Sequence, residues 1–337
     1  MLKSIDILLG LSVVMLMVSL VVTVLTAAVT NFLQTRGKNL AAGIAGLLRQ
    51  IHPDLPTDVA ATISRAILTH PLIAADGKLG AVVHREELVA LILELAADEG
   101  PVKLKDDAKA QLLTLLKNNG IDNPETVIAN VRMVALKLEQ DHPELSTNER
   151  IAKAFLQEAP TAFLGKINGW FDQTIDRVAD RFTNSTRIIT FFASFAVAMV
   201  LQLDTAALVS RLNADPAVRQ ALVNQAVQAN GQTLPALQSK TPAELQANLQ
   251  TYGNLDVMDM PASVSGWTGR WSRDNAVMKL LGIFLTTLLL SLGAPFWYNA
   301  LKNLIRLRSL IAQKDDDQRA ARQTNTSPDS AAGAVAA

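Results

Sequence analysis

Residues 8–29 read LLGLSVVMLMVSLVVTVLTAAV, and no charge interrupts them. The uncharged run extends further, from Ile7 to Thr35, for 29 residues. A bilayer core of about 30 Å needs about 20 apolar residues in a helix rising 1.5 Å each. The run therefore predicts a membrane-spanning helix. A cleaved signal peptide is its rival. Against that rival, Lys3 is followed by Asp6, and the apolar core exceeds the roughly 7–15 residues of a signal sequence.

Two further windows behave similarly. Ile188 to Ser210 holds one charge in 23 residues, Asp204, and Leu280 to Leu301 holds none in 22. The composition agrees with a membrane protein. Of 337 residues, 49% are apolar and 18% charged, against about 25% charged in an average soluble domain. The predicted fold is all-α, an integral membrane protein with about three transmembrane helices, a helical extramembrane domain and a smaller helical loop domain. Its segments are an anchor at 1–35, a helical domain at 36–187, a second membrane helix at 188–210 and a helical loop at 211–276. A third membrane helix follows at 277–300, then a basic amphipathic helix at 301–313 and a disordered tail at 314–337.

Orientation follows from the Lys and Arg residues flanking the spans. Placing 36–187 and the C-terminus inside gives ten such residues on that side and six on the other. The expected location is the cytoplasmic (inner) membrane, N-terminus out and C-terminus in.

The insert at 36–187 carries 18 basic and 20 acidic residues. Asn123 before Pro124 predicts a helix start, as does Ser146 with Glu149 three residues on. Gly120 suits a helix end. His52, His70 and His142 each precede proline, which disfavours helix at the preceding residue and marks helix ends. No pair of histidines has metal-ligand spacing on a helix, so no metal site is expected.

The approach to the second window reads Trp170-Phe171-Asp172, then Asp176-Arg177 and Asp180-Arg181. Asp172, Asp176 and Asp180 stack at i, i+4 and i+8. Like charges so spaced cost a helix a few tenths of a kcal/mol, so local stability does not select them. Either this is a solvated face with arginines beside headgroups, or a docking face for another helix or subunit, or a weak cation site. Within the helix, Arg177 and Asp180 are spaced to pair.

Asp204 is the acidic residue inside a spanning window, and such carboxylates are functional suspects. It lies about 24 Å beyond Ile188, near the far edge of the core, so an interfacial cap or a partner for Arg211 is at least an equal reading beside a proton or ion relay. Trp267 and Trp271, in an irregular stretch before the third window, suit an interfacial belt, as do Pro295, Phe296, Trp297 and Tyr298, where proline kinks the helix.

Several separated motifs resemble those of a family of uncharacterised bacterial multi-pass membrane proteins. They are Arg36-Gly37-Lys38-Asn39-Leu40, His70-Pro71-Leu72-Ile73, Trp170-Phe171-Asp172 with Asp176-Arg177, Asp204-Thr205, and Leu292 to Trp297. Ile175 and Gln202 depart from the Met and Asn of that pattern. The resemblance implies membrane residence and a bacterial source.

The chain has no cysteine, which excludes disulfide and thiol chemistry. There is no phosphate loop, nucleophile elbow or metal cluster, so no catalytic residue, cofactor or metal is expected. Equal counts of 31 basic and 31 acidic residues remove the footprint of a nucleic-acid binder. The expected function is a non-enzymatic membrane anchor or scaffold whose helical domain binds a protein partner or self-assembles. The alternative is an oligomeric channel, transporter subunit or membrane-permeabilising effector. The lipid bilayer is a partner in either case.

Overall fold

The structure, a computed structural model, describes residues 2–74, 77–158, 162–239, 241–254 and 276–324. Among the described residues every regular element is a helix, so the fold is all-α. In order they are α1 (Leu2–Phe32), α2 (Thr35–Ile51), α3 (Thr57–Leu68), α4 (Arg85–Ala97), α5 (Asp106–Asn118), α6 (Pro124–Asp141) and α7 (Thr147–Glu158). Then come α8 (Ala162–Val200), α9 (Thr205–Ala214), α10 (Pro216–Asn230), α11 (Leu234–Gln238), α12 (Pro242–Asn254), α13 (Ala276–Ser291) and α14 (Ala294–Thr324). The chain forms two compact units, Thr30–Thr186 and the combination of Met1–Val29 with Arg187–Ala337.

The Thr30–Thr186 unit is built around α4. Its Leu88, Ile92 and Leu93 are fully buried, and α3, α5, α6 and α7 pack on it. None of its residues is exposed, so it serves as a central post. Buried Asn119 joins α5 to α8: its backbone oxygen accepts from Phe163 N at 3.1 Å and its Oδ1 from Lys166 Nζ at 2.7 Å. Gly120 takes φ 88°, the left-handed value that lets α5 end there.

Two hairpins of this unit are copies of one design. Ile51 to Thr57 reads I-H-P-D-L-P-T, and Asp141 to Thr147, ninety residues on, reads D-H-P-E-L-S-T. In each, the histidine ends a helix, its N–H donating to Leu48 O or Leu138 O, and its carbonyl accepts from Leu55 N or Leu145 N. Hairpins α2–α3 and α6–α7 result. In the second, Glu149 accepts from both the backbone N and the Oγ of Ser146, each at 2.9 Å, while Glu149 N donates to Ser146 Oγ at 3.3 Å.

Close packing leaves no room for a side chain at two glycines of α2, Gly37 and Gly43. A Cβ on Gly43 would lie 2.2 Å from Val178 Cγ2 of α8, whereas one on Gly46 meets nothing within 4 Å.

In the other unit, α1 is the interior helix. Leu9, Val13, Val14, Met15, Leu16 and Val18 have no exposure. Around them pack the end of α8 and the apolar faces of α9, α10, α12, α13 and α14. Gly10 lets Leu212 and Leu222 come close, at 3.1 and 3.5 Å from where its Cβ would be. Arg308 Nε donates to Asp6 Oδ1 at 2.9 Å, holding α14 to the start of α1.

Several segments differ from the sequence reading. The 211–276 stretch was expected as a loop domain of its own, but its described helices α10 to α12 share one core with α1, α13 and α14. The 188–210 window is two helices: α8 stops at Val200 and α9 starts at Thr205, bent by 51°. The 277–300 window is also broken, and α13 meets α14 at 89°. The turn lies at Gly293, φ 82°, ahead of Pro295. The amphipathic stretch 301–313 is the middle of α14, which stays helical to Thr324, past the start of the tail expected to be disordered. Trp267, Trp271 and most of the irregular stretch around them lie outside the described residues.

Two outcomes test this packing. Gly43→Ala should destabilise the protein by about 1–3 kcal/mol through overpacking. Gly46→Ala, on the open side of the same helix, should stabilise it by about 0.4–1 kcal/mol. Thermal unfolding followed by circular dichroism reads both, and equal shifts of one sign would refute the assignment. Separately, the Ser146 hydrogen bonds hold the Glu149 carboxyl below its ordinary value of 4.5. A depressed carboxyl stabilises the fold above its unfolded pKa and loses that contribution as pH falls through the folded value. A carbon-detected NMR titration should place the Glu149 midpoint below 4.5; a midpoint at or above it contradicts the capping geometry.

Candidate functional site

The break between α8 and α9 is capped on both sides. Leu203 N donates to Ala198 O at 3.0 Å and Gln202 N to Met199 O at 3.2 Å. This pair of bonds closes a helix with the next residue in the left-handed region, usually glycine. Here Gln202 holds φ 47°. On the far side, Asp204 Oδ1 accepts from Ala206 N at 2.8 Å and Ala207 N at 3.2 Å. Those are the free donors of the first turn of α9.

The remaining donor is satisfied from another element. Thr205 N donates to Thr286 Oγ1 of α13 at 3.0 Å, and the two hydroxyls lie 2.8 Å apart. Thr286 Oγ1 in turn donates to Gly282 O at 2.9 Å. Thr286 is fully buried, so this chain of bonds is shielded from water. A Cβ on Gly282 would fall within 2.4 Å of the Asp204 carboxylate. The cap and the glycine are therefore one arrangement, and Asp204 takes the capping place that the sequence left beside an ion-relay role.

The second break is closed by the Leu292 to Trp297 motif. The Trp297 indole Nε1 donates to Leu289 O at 2.9 Å, satisfying a carbonyl at the end of α13. Tyr298 OH donates to Gln232 O at 2.9 Å, and Lys302 Nζ sits 4.5 Å from the Tyr298 ring centre. Trp297 and Tyr298 are thus buried in the core, because each polar tip has a carbonyl partner inside the unit. Of the four residues read as interfacial here, Pro295 and Phe296 are exposed.

Apolar surface is concentrated on two helices of this unit. On α13, Val277, Leu280, Leu281, Phe284, Leu285 and Leu288 are all exposed, at helical spacing. Ile188, Phe192 and Val200 are exposed on α8 as well, four or eight residues apart. Contiguous apolar stripes of this kind are rare on water-facing surfaces. Among the described residues α1 is the one unbroken helix long and apolar enough to cross a membrane, and the count reaches three if each bent pair is one span.

In the other unit, the candidate interaction run divides by face. Phe171 is buried and Trp170 packs against the core. Asp172, Asp176, Arg177, Asp180 and Arg181 are exposed. Arg177 does not pair with Asp180; its Nε donates to Gln173 O at 3.1 Å. Among the described residues no base pairs with the three aspartates. Elsewhere, buried His70 lies 3.4 Å from Glu94 Oε1, and Leu72 N donates to its Nδ1 at 3.3 Å. No group of three or more metal-ligating side chains converges among the described residues.

The chain matches no protein-family model, no curated protein and no solved structure.

The break geometry predicts unequal effects. Asp204→Asn keeps a good capping side chain and should leave stability nearly unchanged, while Asp204→Ala should cost about 0.5–2 kcal/mol. Thr286→Val strands the Thr205 N–H and should cost about 1–3 kcal/mol. Hydrogen exchange at Ala206 and Ala207 should speed up in Asp204→Ala and stay slow in Asp204→Asn. Fast exchange in both would mean that the carboxylate does more than cap.

Proposed function

We propose that this chain is a non-enzymatic integral membrane anchor. In this reading the α1-centred unit is embedded in the bilayer, and the Thr30–Thr186 unit is held at the membrane to bind a partner or to self-assemble. The observation that carries it is the exposed apolar stripe of α13, with further exposed apolar residues on α8, in a unit whose interior helix has spanning length. Water disfavours such a stripe, whereas lipid chains solvate it. Backbone groups at both breaks have protein partners, as an apolar surrounding demands. The basic residues flanking the apolar segments favour the cytoplasmic membrane, N-terminus out and C-terminus in. The bacterial family resemblance agrees with this location.

A second reading is an oligomeric channel, transporter subunit or membrane-permeabilising effector. The observation favouring it is the pair of broken helices meeting at Asp204, Gly282 and Thr286, since transport proteins place binding sites at such breaks.

The chain has no cysteine, so topology can be mapped with single introduced thiols. In intact cells whose outer barrier is permeabilised, Ser4→Cys should react with an impermeant maleimide and His142→Cys should not. The protein should stay with membranes in alkaline carbonate. Release into the soluble fraction would end the anchor reading. Ion flux through proteoliposomes, lost in Asp204→Asn without loss of fold, would replace it with the transport reading.

A further inference from the structure

The two hairpins of the Thr30–Thr186 unit present the same face to different surroundings. Counting ninety residues along, Lys38, Ala41, Ser64 and Arg65 of the first correspond to Ile128, Val131, Ala154 and Phe155 of the second. All four residues of the second hairpin are buried. Helix α4 packs against both α6 and α7, and Arg132 of α6 pairs at 2.9 Å with Glu99, two residues past the end of α4. That face is thus made to receive a helix with an acidic end.

On the first hairpin the same face is an open groove of about 500 Å³. Its floor is small, formed by Ala41, Ala45, Ala61 and Ser64, and Lys38 and Arg65 line it. Both cations are exposed, and among the described residues no carboxylate pairs with either. The groove keeps the shape of a helix seat and adds two positive charges to it.

A matching ridge lies on α8. Gly165, Gly169, Asp172, Asp176 and Asp180 fall on one helical face and are exposed. The two glycines have open space where a Cβ would be, so another helix can approach closely there. The aspartates repeat every four residues, about 6 Å apart along the axis. They are the exposed acids left without a base in the site described above.

We propose that the Asp172–Asp176–Asp180 ridge of one copy docks into the Lys38–Arg65 groove of a second copy. The inference rests on the membrane-anchor reading and names its partner as the chain itself. Groove and ridge are different surfaces, so two copies close as a two-fold dimer where both pairs meet reciprocally, and a single head-to-tail contact propagates into a ring or an open row. Anchored copies share a membrane plane, which raises their effective concentration for this contact.

The test uses the full-length protein in nanodiscs and in membranes. Arg65→Glu alone and Asp176→Lys alone should each weaken self-association at least tenfold. The double variant, with both charges reversed, should recover most of it. When Arg65→Cys and Asp176→Cys proteins are mixed, a short bismaleimide should join one to the other, with no native thiol competing. Helical content and carbonate resistance serve as controls. If they hold while the single reversals associate like the parent, or the double variant fails to recover, the docking proposal is overturned and the anchor reading stands. Retention of phosphatidylglycerol that depends on Lys38 and Arg65, with no crosslink, would also overturn it in favour of a lipid headgroup. Loss of carbonate resistance in the parent protein would instead remove the anchor reading itself.

Discussion

A backbone N–H or C=O at a helix end must find a partner, and in an apolar surrounding that partner must come from the protein. The α1-centred unit is organised by this requirement. Two of its helices break, and each break exposes a set of free donors and acceptors. At the first, Asp204 and Thr286 supply the oxygens, and Gln202 accepts a left-handed φ so that α8 can close. At the second, the Trp297 indole supplies the donor. The breaks are accordingly fixed corners, each closed by specific side chains. They turn the chain so that α9 to α12 and α14 can cover α1.

The same need explains how Thr205, Thr286, Trp297 and Tyr298 can be buried in this unit. Thr205, Thr286, Trp297 and Tyr298 all lie inside, and each has its polar atom on a backbone group or on the neighbouring threonine. A buried hydroxyl or indole without such a partner would cost about 1–3 kcal/mol. Their burial is therefore evidence of a specified corner. On α13 and on the last turns of α8, the exposed side chains are aliphatic and aromatic. That division of surface gives the anchor reading its weight.

The Thr30–Thr186 unit solves a different problem. It holds two copies of a hairpin, and α3, α5, α6 and α7 pack on one helix, α4, that has no exposed residue. Duplication supplies two equivalent faces, but α4 is a single helix. One face is filled and carries large apolar residues, Ile128 and Phe155; the other carries Lys38 and Arg65 and stays open. In the sequence, His52-Pro53 and His142-Pro143 each mark a helix end. Treating them as the centres of two matching hairpins needed the comparison of six-residue turns, where Leu55 and Leu145, and Thr57 and Thr147, align.

Local hydrogen bonding was readable without a structure. Asn123 before Pro124, Ser146 with Glu149, and Gly120 after α5 mark helix ends because the groups that close them lie within a few residues. The length and apolarity of α1 are likewise properties of a continuous segment. The candidate site was legible only in part. Asp204 and the aspartates of α8 stood out by charge, but Phe171, Trp297 and Tyr298 turned inward against their expected exposure.

Neighbouring residues set the helical character of the described segments, the spanning length of α1 and several helix ends of the Thr30–Thr186 unit. That the second and third apolar windows are bent pairs emerges in the folded chain. The tertiary structure also decided that Gly282 and Thr286 complete the Asp204 cap and that one hairpin face is left open. The reason is distance along the chain. Thr205 and Thr286 are 81 residues apart, and hairpin two follows hairpin one by ninety. No local pattern states which of two such surfaces another element will cover.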